Sequence, residues 1–147
     1  MKILFTLDSS DGIDPKDPIG DITITDEQTL LSIESTYLDS WFETLIDGFK
    51  SLKINQKITL EIMEEPESIT FEPISQGFKI SYRKRVLFLS NLNEFLQPLL
   101  LSAQEFLALL DQNEIKPENL LNLLSIRQFI EDYTHQQEPQ LTRTVLV

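Results

Sequence analysis

The clearest periodic pattern in the chain covers residues 37–52. Its apolar residues fall at positions 38, 41, 42, 45, 46, 49 and 52. Steps of three residues and one residue keep these side chains on one face of an α-helix. Thr36 is a candidate N-cap, and Asp39 stands where a capping box has its acidic residue. The pattern predicts a helix over 36–53 whose apolar face buries Trp41, the only tryptophan of the chain.

Two further stripes run along the predicted helix. They are an acidic stripe of Asp39, Glu43 and Asp47 and, beside the apolar face, a strip of small residues made of Ser40, Thr44, Gly48 and Ser51. Like charges at a spacing of four residues repel each other, which is typical of a solvated face. The small strip is either the border of that face or a surface where another backbone comes close to Gly48.

Apolar and polar residues alternate on both sides of this helix, which predicts β-strands. The predicted strands cover residues 2–7, 21–25, 58–63, 69–72, 78–83 and 86–89. The first is predicted to be buried, and Val86–Leu89 is apolar on both faces, as a central strand is. Residues 28–34 are either another extended piece or a helical turn. Residues 83–85 are either a tight turn or the middle of one long strand.

A second helix is predicted over residues 91–111, with Asn91 and Glu94 as a capping pair. Pro98 lies too deep for the first turn, where proline is well tolerated. It predicts either a kink or a helix that restarts later, capped by Ser102.

A last helix is predicted from Pro117 to about Tyr133, because proline suits the first helical position. Residues 134–147 are either disordered or an added strand. The order of elements is strands, a helix, a meander of strands over 57–90 and then two helices. This order predicts a single α+β domain over 1–147, with the helix 36–53 packed on an antiparallel sheet.

The chain is strongly acidic, with 24 Asp and Glu against 12 Lys and Arg among 147 residues and a net charge of −12. Such a charge repels nucleic acids and anionic membranes and favours a basic protein as partner. Solubility alone would also explain it. The apolar run after Met1 ends at Asp8, which is too short for a signal peptide, and no membrane-spanning segment is predicted. We therefore expect a cytoplasmic protein.

Few residues suit catalysis or metal binding. The chain has no cysteine and one histidine, His135, which argues against zinc sites and against Ser–His or Cys–His catalysis. The loop 8–21 holds five aspartates, but their spacing is not that of a calcium-binding EF-hand. No cofactor, metal or enzymatic activity is predicted.

Two segments carry a resemblance to a known family. The run Tyr37-Leu38-Asp39-Ser40-Trp41-Phe42, followed at a distance by Glu64-Glu65-Pro66-Glu67 and a strand meander, resembles small bacterial immunity proteins of polymorphic toxin systems. The resemblance covers roughly residues 30–110. It implies a cytoplasmic, non-enzymatic inhibitor that masks the surface of a toxin, and it transfers no catalytic residues.

The sequence therefore predicts a non-enzymatic, acidic binding protein, with a basic protein as partner. The alternative is a structural or accessory subunit that associates through an apolar face. The candidate partner-binding residues are Asp39, Glu43, Asp47, Glu64, Glu65 and Glu67. The helix leads directly into the strand that ends at Glu64, which places both acidic groups at one end of the sheet. Because the three helix residues are expected to be exposed, reversing their charge should barely change the fold.

Overall fold

The structure is a computed structural model and describes residues 1–9, 12–13, 18–115 and 123–134. Its strands are β1 (Lys2–Leu7), β2 (Ile19–Thr25), β3 (Leu30–Tyr37), β4 (Ile58–Leu60), β5 (Ile69–Ile74), β6 (Gly77–Tyr82) and β7 (Arg85–Leu89). Its helices are α1 (Leu38–Lys53), α2 (Asn93–Gln112) and the helical residues 123–134, here α3. The predicted α+β class is confirmed. The predictions for Pro117, His135 and the tail 135–147 concern residues outside the described ranges, as do Asp11, Asp14 and Asp17.

The strands of the described residues form two antiparallel sheets. The first has the order β1-β2-β3, and the second has the order β4-β5-β6-β7, which is the meander predicted over 57–90. Residues 28–34, left open by the sequence, form most of β3. The reason is visible in the register, where Ile22 lies opposite Ile33 and Ile24 lies opposite Leu31. All four side chains are buried, so the apolar alternation of β3 completes the inner face of the first sheet.

The sequence left open whether residues 83–85 form a tight turn or the middle of one long strand. In the structure β6 and β7 form a hairpin with a tight turn between them. Arg83 and Lys84 both have positive φ angles, 49° and 63°, as the two central residues of a type I′ turn require. Neither residue is glycine or asparagine, so the turn lacks its usual sequence signal. Arg83 gains compensating contacts, because its guanidinium lies over the Tyr82 ring at 5.1 Å and bonds Glu65 at 3.1 Å.

The predictions of a buried first strand and a central Val86–Leu89 strand are wrong. Among the described strands, β1 and β7 lie at the edges of their sheets, and each pairs with one neighbour. Leu4 is 59% exposed and Phe88 is 55% exposed. A run of apolar residues occurs both in a strand that is buried on its two faces and in an edge strand whose outer face carries apolar side chains. Only the order of the strands in the sheets separates the two cases.

The carboxylate of Asp26 joins the two sheets. Its Oδ1 atom accepts the backbone N–H groups of Gln28 and Thr29 at 2.7 and 2.6 Å, which closes the turn between β2 and β3. Its Oδ2 atom accepts the N–H of Phe88 at 3.1 Å, on the edge strand of the second sheet. Burial alone would raise the pKa of Asp26, but these backbone donors outweigh it and hold the pKa below its ordinary value.

Asp26→Ala is expected to lower the free energy of unfolding by about 1 kcal/mol, since three N–H groups lose their acceptor. Because the folded pKa is depressed, the contribution of the charged form is present at neutral pH and is lost as pH falls through the folded pKa. Asp26→Asn is the control, since it keeps an acceptor oxygen without the charge. Urea unfolding should show the difference between wild type and Asp26→Asn shrinking below about pH 4. A difference in unfolding free energy between wild type and Asp26→Asn that stays constant as the pH is lowered would contradict this role of the Asp26 carboxylate.

Helix α1 lies at the centre of the core. Twelve of its sixteen residues are buried, and it contacts β2 of the first sheet, β4 and β5 of the second sheet, and α2. The predicted N-cap is wrong, because Thr36 belongs to β3 and Tyr37 precedes the helix without a side-chain cap. Thr36 instead accepts the indole N–H of Trp41 at 2.9 Å.

The apolar residues of α1 are shared among several elements rather than facing the meander alone. Trp41 is fully buried, as predicted, and its ring meets Tyr82 of β6 edge-on at 5.3 Å. Phe42 points elsewhere and stacks on Phe106 of α2 at 4.8 Å. Phe49 contacts Phe95 of α2 at 5.9 Å and also packs on α3. The predicted packing on the meander is therefore correct for Trp41 and incomplete for the rest of the helix.

Helix α2 begins with the predicted capping pair. The side-chain oxygen of Asn91 accepts the N–H of Glu94 at 3.1 Å, and the Glu94 carboxylate accepts the N–H of Ser90 at 3.1 Å. The helix continues through Pro98 without a restart. Ser102 does not cap a new helix but donates its hydroxyl to the carbonyl of Ile3 at 2.9 Å, which ties α2 to the edge strand β1.

Candidate functional site

An acidic groove of about 600 Å³ separates α1 from the segment that follows β4. It is lined by Ser40, Glu43, Thr44 and Asp47 of α1 and by all residues from Leu60 to Ser68. Six of these thirteen residues are Asp or Glu, and none is Lys or Arg. The chain brings the helix and the turn together because only a short connection separates the end of α1 from β4.

The groove contains five of the six residues predicted to bind a partner. Glu43 and Asp47 lie on its helix wall, and Glu64, Glu65 and Glu67 lie on its turn wall. Asp39 is the exception, because it is buried with 5% of its surface exposed and does not line the groove. The expectation that the whole acidic stripe is solvated is therefore wrong at its first member. Asp39 lies in the first turn of α1, where the helix dipole stabilises a carboxylate.

Glu65 forms structural contacts within the protein. Its side chain is only 10% exposed, and its Oε2 atom accepts the guanidinium of Arg83 at 3.1 Å. Its Oε1 atom accepts the hydroxyl of Thr36 at 2.7 Å, and that hydroxyl oxygen in turn accepts the Trp41 indole N–H. A chain of hydrogen bonds thus links the buried tryptophan to the acidic turn. Glu65 positions the turn. The exposed carboxylates of the turn are Glu64 and Glu67, and that of Glu67 lies 3.9 Å from the Arg83 guanidinium.

The strip of small residues on α1 serves two different contacts. At Gly48 an added Cβ atom would lie 2.4 Å from the ring of Phe71, so the close approach comes from β5 of the same chain. Farther towards the start of the helix, Ser40 and Thr44 line the groove. The Ser40 hydroxyl oxygen accepts the backbone N–H of Met63 at 3.1 Å and holds the turn segment against the helix.

Burial raises the pKa of Glu43 above its ordinary value, and the negative charges of Asp47 and Asp39 raise it further. Asp47 is exposed, but the partial burial of its carboxylate also raises its pKa, with the nearby Lys50 acting in the opposite direction. The negative charges of Glu43 and Asp47 on the helix wall therefore destabilise the native state. A cation placed in the groove would offset this destabilisation.

Glu43→Gln is expected to raise the melting temperature at pH 7, since it removes a charge that the native state disfavours. The folded pKa is raised, so wild type should recover this stability as pH falls through the folded pKa, and the gain should vanish below about pH 4.3. The same replacement at Glu34, an exposed residue of β3, is the control. Thermal unfolding followed by circular dichroism would measure both. A Glu43→Gln protein that melts lower at pH 7 would contradict the electrostatic argument.

Glu61 is the one acidic residue lining the groove that was not predicted from the sequence. It follows β4, is exposed and lies among the acidic lining residues. The sequence does indicate that Glu61 is exposed, because it falls on the polar side of the alternation between Ile58 and Met63. Its location beside α1 depends on how the helix crosses the sheet, which the alternation does not show.

The comparisons with known proteins leave the groove as the main guide to function. The chain matches no protein-family model, no curated protein and no solved structure. Within the described ranges, no group of three or more His, Asp or Glu side chains is arranged to hold a metal ion. None of the helices in that part of the chain has the length and apolar character needed to cross a membrane.

Proposed function

We propose that this protein is a non-enzymatic binding protein whose acidic groove docks a basic region of a protein partner. The observation that carries the proposal is the set of exposed carboxylates of Asp47, Glu61 and Glu64, which line one groove without a basic lining residue. Several like charges around a concave surface focus the electrostatic potential and attract a partner of opposite charge. The net charge of −12 adds a long-range attraction of the same sign.

Lysine and arginine side chains of the partner fit this groove best. Each would place a cation beside carboxylates such as Glu43, whose negative charge destabilises the native state. The family resemblance suggests a more specific form of the proposal, in which the protein is a cytoplasmic immunity-type inhibitor that masks a basic toxin or nuclease. A neighbouring, co-transcribed toxin gene would support that form.

An accessory subunit that associates through an apolar face is the second candidate. The observation in its favour is that Leu30 and Phe88 are both more than half exposed. They lie on neighbouring edges, since Arg85 of β7 donates to the carbonyl of Leu30 at 3.0 Å. Phe88→Ser would weaken association of this kind and leave docking in the groove intact.

Reversing two groove charges with Asp47→Lys and Glu61→Lys is expected to abolish capture of a basic partner in a pull-down from the native host. Both side chains are exposed, so each change should alter stability by less than about 0.5 kcal/mol. Asp39 is left unchanged because it is buried. The association rate of the captured protein with wild type should fall steeply as ionic strength rises, since salt screens the attraction.

A matched control changes the same number of charges away from the groove. Glu34 of β3 and Glu105 of α2 are exposed, and neither lines the groove. The Glu34→Lys and Glu105→Lys variant has the same net charge as the groove variant and should still capture the partner. Equal loss in both variants would mean that net charge alone drives binding. Full capture by the groove variant would contradict docking in the groove.

A further inference from the structure

The strand β4 reaches the groove at Leu60, its last residue. It lies at the end of the second sheet and, among the described strands, pairs with β5 alone, through Ile58 opposite Phe71 and Leu60 opposite Ile69. After β4 the chain continues along the groove, and every residue from Leu60 to Met63 lines it. An unpaired strand edge is a template for an added strand.

The register of the second sheet indicates which backbone groups of β4 face outward. A two-residue turn follows Ile74 and joins β5 to β6, so the backbone N–H and C=O groups of Ile74 point to β6. Backbone groups alternate in direction along a strand, so those of Phe71, three residues before Ile74, point to β4. They face Ile58, which leaves the N–H and C=O groups of Thr59 pointing away from β5. Glu61, two residues after Thr59, is expected to point its N–H group to the same outer side.

We propose that the partner contributes an extended basic segment, which pairs as an added strand with the edge of β4 that no described strand covers and continues beside Glu61 into the groove. This inference rests on the proposed function and specifies how the basic region is held. Side chains of an added strand alternate between two faces, so every second residue would point towards the helix wall. Lysine or arginine at those positions would meet Glu43 and Asp47, while the backbone supplies affinity that charge alone does not.

The test uses two synthetic peptides with the same alternating Lys and Thr sequence and the same charge. In one of them every central residue is N-methylated, which removes the backbone donors needed for strand pairing. Titration of the 15N-labelled protein by NMR should show the unmodified peptide binding about tenfold or more tightly, since two or three backbone hydrogen bonds are lost in the other. The amide signals of Thr59 and Glu61 should shift most.

A pair of variants tests the same edge from the protein side. Thr59→Pro removes the outward N–H, whereas Thr59→Val keeps it, and both lose the Thr59 hydroxyl contact with Thr70 at 3.0 Å. Proline is tolerated on an edge strand when its missing N–H faces outward. Thr59→Pro should weaken binding of the unmodified peptide about threefold or more relative to Thr59→Val.

The possible outcomes separate this inference from the proposed function. Equal affinity for the two peptides, with shifts confined to side-chain contacts in the groove, would overturn strand pairing and leave the acidic groove as the site. No binding of either peptide at millimolar concentration would overturn both. If Thr59→Pro failed to fold, the two peptides alone would still decide the question.

Discussion

Replacing Trp41 by alanine is expected to lower the free energy of unfolding by about 3–5 kcal/mol, which is typical for truncation of a fully buried large aromatic residue. The indole ring has no exposed surface and packs edge-on against Tyr82. Its N–H also donates to Thr36, so truncation breaks the hydrogen-bond chain to Glu65 as well as opening a cavity. Both losses affect the end of the sheet where the groove lies.

Urea unfolding followed by circular dichroism would measure this loss, since the variant lacks the tryptophan signal. Trp41→Phe is the matched control, because it keeps an aromatic ring and removes the N–H donor. It should cost less, about 1–2 kcal/mol.

In the wild-type protein, tryptophan emission should be that of a buried indole. Emission typical of a water-exposed indole, or a loss below 1 kcal/mol in Trp41→Ala, would refute the central position of this residue.

Gly48→Ala is expected to destabilise the protein by about 1–3 kcal/mol, although alanine in a helix is favoured over glycine by up to about 1 kcal/mol. The reason is steric, because the new Cβ atom would lie 2.4 Å from ring atoms of Phe71. Phe71 is fully buried in β5 and stacks on Phe95 of α2, so its ring has little room to move. Helix propensity alone predicts the opposite sign, which makes the measurement decisive.

A double-mutant cycle with Phe71→Leu would show that the clash is the cause. Leucine leaves space next to position 48, so Gly48→Ala should cost less in the Phe71→Leu background than in wild type. Thr44→Ser, on the same strip of α1, is a control for a small change at a buried helix position. A stabilising effect of Gly48→Ala in the wild-type background would mean that α1 and β5 lie far enough apart to accommodate the new Cβ atom.

The two predictions also bear on the groove. Trp41 and Gly48 fix α1 against β6 and β5, and the helix wall of the groove belongs to the same helix. Loosening either contact would change the distance between the carboxylates of α1 and those of the turn. We therefore expect both variants to bind a basic partner more weakly, even though neither residue lines the groove.

Local patterns in the sequence were enough to predict the elements and several contacts. The spacing of apolar residues placed the central helix close to its observed bounds and placed Trp41 in the core. The alternation over 57–90 predicted the antiparallel meander, and the pair Asn91 and Glu94 marked the start of α2. These features depend on interactions between residues near one another in the chain, which the sequence displays directly.

The neighbours of each element were decided by the tertiary structure. Asp39 belongs to an acidic stripe in the sequence, but packing around the start of α1 buries it. Val86–Leu89 has the pattern of a central strand, but the order of the described strands places it at an edge, where Phe88 is exposed. Glu61 joins the groove because α1 crosses beside the segment after β4. Periodicity determines which side chains share a face, whereas contacts between residues distant in sequence determine what covers that face, and these contacts define the acidic groove.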